Sequence, residues 1–563
     1  MNTPSTLQTV ISTLTRSYQR MDMSLNEYLL KFIFPTFALL FAGTAYTTLG
    51  SGSTLLKTVV QLAGIIAVAL ALVYPRLLEY KIASEIQIKF HLFITHLTVL
   101  SMSKTNRVEI FRTIANDDDY GALADEMTKL IGLVDTFNLS LDDAARARSK
   151  QTPSDMLADF YEQIAYNVGS GQPISDFLIS EQEAIIKEFA TKYESDLDSV
   201  GVFAELFISM MLVSSFATLF GMIIPFLTGM NPLLTIGGML FVYTLVQAGF
   251  VFIIDSVAPE DKLWYVPNEF ENERLDTIQK YVIASVSISA ILAIIVGAGI
   301  LGYLPVSFDG YPMQFIVPIP TIPLLLPAIY VSLVERDIAQ AEQQFSSFIR
   351  GLGAVESVKK TSTASVLRTM KNKDFGRLTP YIVNLYRRLN LQVNSTVAWR
   401  HFSSEIGSAL VKNFSDMYVL GRELGGDPEM LGNIIGQNVN EVLSLRAKRK
   451  QVINQLTGQT YGMTLATIAT FFISLGVLRL LVQVTEGMDV GLLRGILYVE
   501  LYSIPTISAL VYAAVIINAL TSSLLIRKAS RAHTAGALLH FTIITWLGFA
   551  LGYVIDSYFI GLL

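Results

Sequence analysis

Phe90-His91-Leu92-Phe93-Ile94-Thr95-His96-Leu97-Thr98-Val99-Leu100 carries Phe90, Phe93, Leu97 and Leu100 at spacings of 3, 4 and 3. That spacing puts the four on one face of an α-helix. A second stretch, Phe345-Ser346-Ser347-Phe348-Ile349-Arg350-Gly351-Leu352-Gly353-Ala354-Val355, repeats the pattern 255 residues later with Phe345, Phe348, Leu352 and Val355. The same shift takes Lys104 to Lys359, Asp119-Tyr120-Gly121 to Asp374-Phe375-Gly376, and Leu130 to Leu385. It also takes Gly171-Gln172-Pro173 to Gly426-Asp427-Pro428. So many matches at one shift mark an internal duplication.

Outside these helical stretches the chain is strongly apolar. Of its 563 residues 52% are hydrophobic and 16% charged, with a mean hydropathy of +0.48. Soluble domains are roughly 25% charged, and here the charges avoid several long runs altogether. Nine such runs are long enough to span a bilayer: Leu29–Leu49, Val59–Leu78, Leu206–Phe226, Leu234–Val257, Val282–Leu304, Gln314–Leu333, Met463–Val482, Ile504–Leu525 and Leu538–Phe559. The first two shifted by 255 land on the fifth and sixth, and the third lands on the seventh. The eighth arrives late, behind an apparent insertion near Thr485–Val499. Each repeat is thus two spans, a polar helical domain and two more spans, with the ninth span appended. Four spans per unit give both copies the same orientation.

Lys and Arg placement sets that orientation. With the N-terminus cytoplasmic, only Lys57, Arg479 and Arg494 of the 41 basic residues lie well away from a cytoplasmic flank. The expected fold is an all-α polytopic membrane protein of the plasma membrane, with two duplicated helical domains in the cytoplasm. Its segments are an N-terminal amphipathic stretch (1–28), a span pair (29–78), the first helical domain (79–205) and a span pair (206–257). A cytoplasmic loop (258–281), a span pair (282–333), the second helical domain (334–459) and three final spans (460–563) follow. No cleavable signal peptide is expected, because residues 1–27 are polar and the first apolar run is long enough to remain as an anchor.

The two domains differ in charge. Glu79–Ala204 holds 11 basic and 21 acidic residues, net −10, whereas Arg336–Gln459 holds 17 basic and 10 acidic, net +7. Such divergence points toward different partners, or toward each other. The basic excess includes Arg446, Lys448, Arg449 and Lys450, either a lipid-headgroup anchor or a surface for an acidic protein. Asp117-Asp118-Asp119 reads as a solvated loop or cap, or as a contact for a basic partner. At the N-terminus Leu7, Val10, Ile11, Leu14, Tyr18 and Met21 form one helical stripe, suited to a membrane surface or to a docking partner. Gly121, Gly376, Gly171, Pro173, Gly426 and Pro428 are candidate turn residues of the repeats. Pro318, Pro320, Pro323 and Pro327 crowd the sixth span and must distort it, as a fixed kink or as a hinge.

Catalytic chemistry finds little support. With no cysteine, thiolate catalysis, Cys-ligated zinc and iron–sulfur clusters are excluded. No Walker A pattern, His-Glu-x-x-His or Gly-x-Ser-x-Gly occurs, and no cofactor or metal is expected. The mild net charge of −6 gives no reason to expect nucleic acid. Gly297-Ala298-Gly299-Ile300-Leu301-Gly302 fits a dinucleotide pattern but lies inside a span, where close helix packing by small residues is the expected use. A secondary transporter built from parallel repeats would need polar groups at mid-membrane, and Glu205, Asp255 and Asp556 all lie near span ends.

The inserted all-α domains, with Asp119-Tyr120-Gly121, Asp374-Phe375-Gly376 and the Gly-x-Pro pairs, resemble the type II secretion F-domain superfamily of type IV pilus-like platforms. The nine-span layout is most similar to its archaeal branch, the archaellum assembly platform (FlaJ or ArlJ) family, with archaeal adhesion-pilus platforms next. The resemblance implies a non-enzymatic role in motility: anchoring a hexameric cytoplasmic ATPase and coupling its motion to assembly of filament subunits, archaellins or pilins. It places an ATPase interface on Arg446, Lys448, Arg449 and Lys450, and on Arg387 and Arg388. A homodimer fits beneath a hexamer by symmetry, with membrane lipids as the remaining partners.

Overall fold

A computed structural model describes residues 28–49, 54–266, 273–300, 302–303, 310–486 and 503–561, with only part of the side chains in its first two helices. The N-terminal amphipathic stripe, the insertion near 485–499 and Arg494 lie outside the described residues. Among those described, helices account for nearly everything; one antiparallel bridge, Trp264 to Ser408, is isolated. Among the described residues seven helices are long and apolar enough to cross a membrane, and they overlap the third to ninth expected spans. The protein is a multi-pass, all-α membrane protein.

The chain divides into two compact units: the described residues up to Ile186 with Gly421–Gly426, and Lys187–Leu420 with Asp427 onward. The first holds α1 (Phe34–Leu49), α2 (Thr54–Ser101), α3 (Arg107–Ala115), α4 (Ala122–Phe137), α5 (Leu141–Ser149), α6 (Asp155–Gly169) and the start of α7 (Ile174–Thr228). Side-chain caps begin three of them: Asn106 on Val108 N, Ser140 on Asp143 N and Ser154 on Leu157 N. Each cap satisfies an otherwise orphaned first-turn donor.

The second unit continues through α8 (Pro232–Val257) and α9 (Glu273–Ile300) to α10 (Leu325–Lys359). Four short helices follow: α11 (Thr363–Met370), α12 (Thr379–Asn390), α13 (Ser395–Ile406) and α14 (Ala409–Glu423). Last come α15 (Pro428–Glu486), α16 (Ile504–Ser530) and α17 (Ala537–Ile560). Shifted by 255, α3 to α6 coincide with α11 to α14, every end within two residues. The duplication extends to side-chain packing. Phe93 meets Tyr120 edge-on at 6.3 Å, and Phe348 meets Phe375 edge-on at 5.7 Å. Gly121 and Gly376 follow with φ of +54° and +57°, a conformation that glycine adopts without steric cost.

Four expected borders between a span and a helical domain fall inside unbroken helices. The 78/79 border lies in α2, 205/206 in α7, 333/334 in α10 and 459/460 in α15. Each of these borders is thus crossed on helix rather than on a loop, and α2 carries Pro75 three residues before its border. The sixth span is different. Its first part is a short helix, Met313–Ile316, and a 3₁₀ stretch, Ile319–Leu324, before α10 begins. Pro318 precedes the 3₁₀ stretch, Pro320 and Pro323 lie in it, and Pro327 lies in the first turn of α10. Missing N–H groups there free carbonyls, and neighbouring hydroxyls take them up: Ser289 donates to Pro320 O and Thr542 donates to Thr321 O.

One local expectation is corrected. Gly297 faces open space rather than a neighbouring helix. The glycine pattern instead ends α9, with Tyr303 N–H on Ala298 O at 2.9 Å and Gly302 at φ +75°, a left-handed C-terminal cap. Both Gly-x-Pro sites lie at turns between two helices, with the positive φ on Gly171 (+87°) in the first copy and on Gly425 (+84°), beside Gly426, in the second. Pro428 there occupies the start of α15, where its fixed φ suits the first turn.

Candidate functional site: ion pairs around Asp261 and Glu335

The basic run lies on α15, whose period separates its four cations. Arg446 and Arg449, three apart, share a face and point inward; Lys448 and Lys450 are exposed. Arg446 grips Asp261 through Nε (2.7 Å) and Nη2 (2.5 Å), and reaches Glu342 through Nη1 (2.7 Å). Arg449 donates to Asp261 O at 3.1 Å. Glu342 also accepts from Ser408 Oγ, which caps Val411 N–H at 3.0 Å. Lys448 pairs with Glu194 at the surface. On α12, Arg387 is exposed, and Arg388 pairs with Glu405, which also accepts from Asn384. The expected interface residues thus separate into an inward pair, two surface ion pairs, and the exposed Arg387 and Lys450.

A second set of pairs centres on Glu335, at the start of the polar part of α10. It accepts two bonds from Arg527 Nη2 (2.8 and 2.9 Å), one from Trp264 Nε1 (3.2 Å) and one from the His533 backbone N–H (2.9 Å). Trp264 and His533 pack edge-on at 5.5 Å. Burial pushes the His533 imidazole below its ordinary pKa, Glu335 opposes that shift and Arg527 adds to it. Nearby, Asp255 receives Lys528 and Arg531, each at 2.9 Å.

The common element is the segment Ala258–Val266. Its side chains Asp261 and Trp264 enter the two clusters, and its backbone pairs with the α13–α14 turn. Tyr265 N–H reaches Gly407 O at 2.9 Å, and Ala409 N–H reaches Leu263 O at 3.1 Å. Carboxylates and cations are matched throughout, so the geometry suits a rigid clamp rather than proton transfer or nucleophilic attack. Among the described residues no group of three or more His, Asp or Glu could hold a metal ion.

Within the apolar region the structure adds polar contacts that hydropathy alone conceals. Arg479 on α15 donates to Asp556 on α17 at 3.0 Å and to Ser508 on α16 at 3.3 Å, and Asp556 also accepts from Gln314. Gln247 donates to Asn518 at 2.9 Å and accepts from Thr521. Asp261, Glu335, Glu342 and Gln314 escaped sequence reading because nothing in their local patterns signals partners 100 or more residues away. A carboxylate at the edge of an apolar run, as at Asp261 and Glu335, was the one available hint.

This assembly of an F-type helical domain between spans has relatives. The family "Type II secretion system (T2SS), protein F" matches residues 93–224, the first copy and the span after it. The chain is 29% identical over 535 residues to "Flagella accessory protein J" of Methanococcus voltae, covering 94% of this chain and 95% of that one. Over nearly its whole length the chain is thus similar to flagella accessory protein J. A second protein of that name, from Methanocaldococcus jannaschii, is 28% identical over 542 residues, covering 95% of both chains. No solved structure matches. The family likeness runs through both copies and all the spans, so the ion-paired segment between them lies within its reach.

Proposed function

We propose that this protein is the membrane platform of an archaellum-type assembly machine and performs no chemistry of its own. In this reading the N-terminus and both helical domains are cytoplasmic, a hexameric ATPase engages the domains, and a homodimer forms the platform. Motion of the ATPase passes along the long helices to the spans, where filament subunits leave the bilayer. The family likeness supports the assembly role. The observation that carries the mechanical part is α15: 59 residues of unbroken helix, paired to Asp261 before its span and to Asp556 within it. A helix held at both levels moves as one rod, about 1.5 Å per residue in length.

Of the basic residues expected at an ATPase interface, Lys448, Lys450 and Arg387 are exposed and carry the docking role in this proposal. Arg446 and Arg449 act inside the fold. The test is a pull-down of the protein against the secretion ATPase from the same genome, at low and high salt. Salt-sensitive binding, lost in a Lys448→Glu, Lys450→Glu, Arg387→Glu triple variant that still inserts, is the expected result. Binding unchanged by the triple substitution would remove this surface from the proposal, and no binding at any salt would remove the ATPase.

A further inference from the structure

The fifth span is barely packed against protein. Only 11% of its most apolar window is buried, against 56% for the eighth span. Between α9, α16 and α17 lies a groove of about 540 Å³, within the roughly 300–1,000 Å³ typical of small-molecule sites. Its walls are hydrocarbon: Val282, Ile283 and Val286 from α9, Leu520 and Leu524 from α16, Phe541 from α17. Ile283 and Val286 are also about half exposed on the outer face of α9, so the groove is continuous with the surface that meets the bilayer.

One end of the groove is polar. Gln279, His533 and Thr534 line it, beside two aromatic pairs, Trp264 with His533 and Tyr281 with Tyr330 at 5.4 Å. Aromatic rings at this level mark the membrane–water interface. Lys280 follows Gln279 in the chain, one turn before Ile283 on α9, exposed and in no ion pair among the described residues. Apolar walls open to the bilayer, aromatic rings beside the polar end and an exposed cation next to it along α9 match one chemistry.

We propose that this groove is a binding site for an anionic membrane lipid, with one hydrocarbon chain between α9, α16 and α17 and the headgroup phosphate on Lys280. The bound chain seats α9 against the last two spans, supplying apolar contact that protein side chains leave unmade. The phosphate supplies Lys280 with a counter-charge, the attraction that draws basic residues to an anionic membrane surface. The proposal requires only that the chain spans a membrane, and stands apart from its role in assembly.

The test uses the full-length protein in mild detergent, stripped of lipid and titrated with phosphatidylglycerol or phosphatidylcholine, with retained lipid read by native mass spectrometry. Wild type is expected to retain phosphatidylglycerol several-fold better than phosphatidylcholine. Lys280→Gln should abolish that preference, and Leu524→Trp, which fills the groove, should abolish retention. Equal retention by wild type and Leu524→Trp overturns the site, and an undiminished preference in Lys280→Gln overturns the headgroup assignment. Wild type alone supplies a second reading should Leu524→Trp not fold: phosphatidylglycerol, and not phosphatidylcholine, should raise its Tm. No rise overturns the proposal.

Discussion

Arg446 holds Asp261, 185 residues away in the chain, through two parallel contacts of 2.7 and 2.5 Å. The guanidinium side chain is 10% exposed and the carboxylate 13%, so the pair is largely removed from water. Paired forks of this kind are the strongest geometry available to an Arg and a carboxylate.

Asp261→Ala should therefore be severe. It leaves Arg446 and Arg449 buried with a partner removed, which costs about 3–5 kcal/mol. Thermal unfolding in detergent should show a clear drop in midpoint, while exposed Lys450→Ala should stay within about 0.5 kcal/mol of wild type. Arg446→Lys should fall between, since a lysine cannot make the two-pronged contact. Equal melts for Asp261→Ala and Lys450→Ala would show that the clamp contributes nothing.

Helices α10 and α15 touch through glycine. A Cβ on Gly353 would lie 2.1 Å from Pro428 O, and one on Gly432 would lie 2.9 Å from Ile349 O. Both obstacles are backbone and cannot rotate away. Gly353→Ala or Gly432→Ala should destabilise by about 1–3 kcal/mol through overpacking. Gly458→Ala, on the same α15 with open space around it, is the control and should be neutral or slightly stabilising. Chemical denaturation of the three variants decides the matter.

The duplicated tripeptides differ in one hydroxyl, Tyr120 against Phe375. Tyr120 OH bonds His96 Nδ1 at 2.9 Å, whereas the positions 255 further on are Phe375 and Gly351. Phe375 is 3% exposed, with no imidazole at the matching position. Phe375→Tyr should cost about 1–3 kcal/mol for a buried hydroxyl left without its bond. Adding Gly351→His should not restore it, because a Cβ there already stands 3.3 Å from Met370 Cε. A melt of Phe375→Tyr indistinguishable from wild type would sink this account.

The Arg479–Asp556 pair lies in the apolar region, with the carboxylate side chain 6% exposed. Breaking such a pair leaves an uncompensated charge, while replacing both partners by apolar residues of similar size can be neutral. Arg479→Met and Asp556→Leu should each lower the Tm, and the double variant should recover most of the loss. A double variant as unstable as the two singles combined would mean that the groups act independently.

Much of this architecture was legible in one dimension. The face Phe90, Phe93, Leu97 and Leu100 is fully buried, as its spacing implied, and Phe345, Phe348 and Leu352 repeat it; Val355, the last of the second set, is only partly buried. The left-handed turns at Gly121 and Gly376 coincide with matched tripeptides. At the second Gly-x-Pro turn the positive φ falls on Gly425, one residue before the pattern. The basic run was legible as a run, but not as a face.

Helices, apolar stretches and the duplication can be read in one dimension, because all three follow from hydropathy and from side chains three or four residues apart. Those relations are local, or recur at a constant shift, and need no knowledge of distant neighbours. Packing of the folded chain turns Arg446 and Arg449 inward and leaves Lys448 and Lys450 outside. It alone decided that Gly353 lets two helices meet backbone to backbone, and that α9 leaves a groove beside α16 and α17. Partners 104 and 185 residues away are chosen by which faces pack together. That choice is a property of the assembled core, and no local pattern carries it.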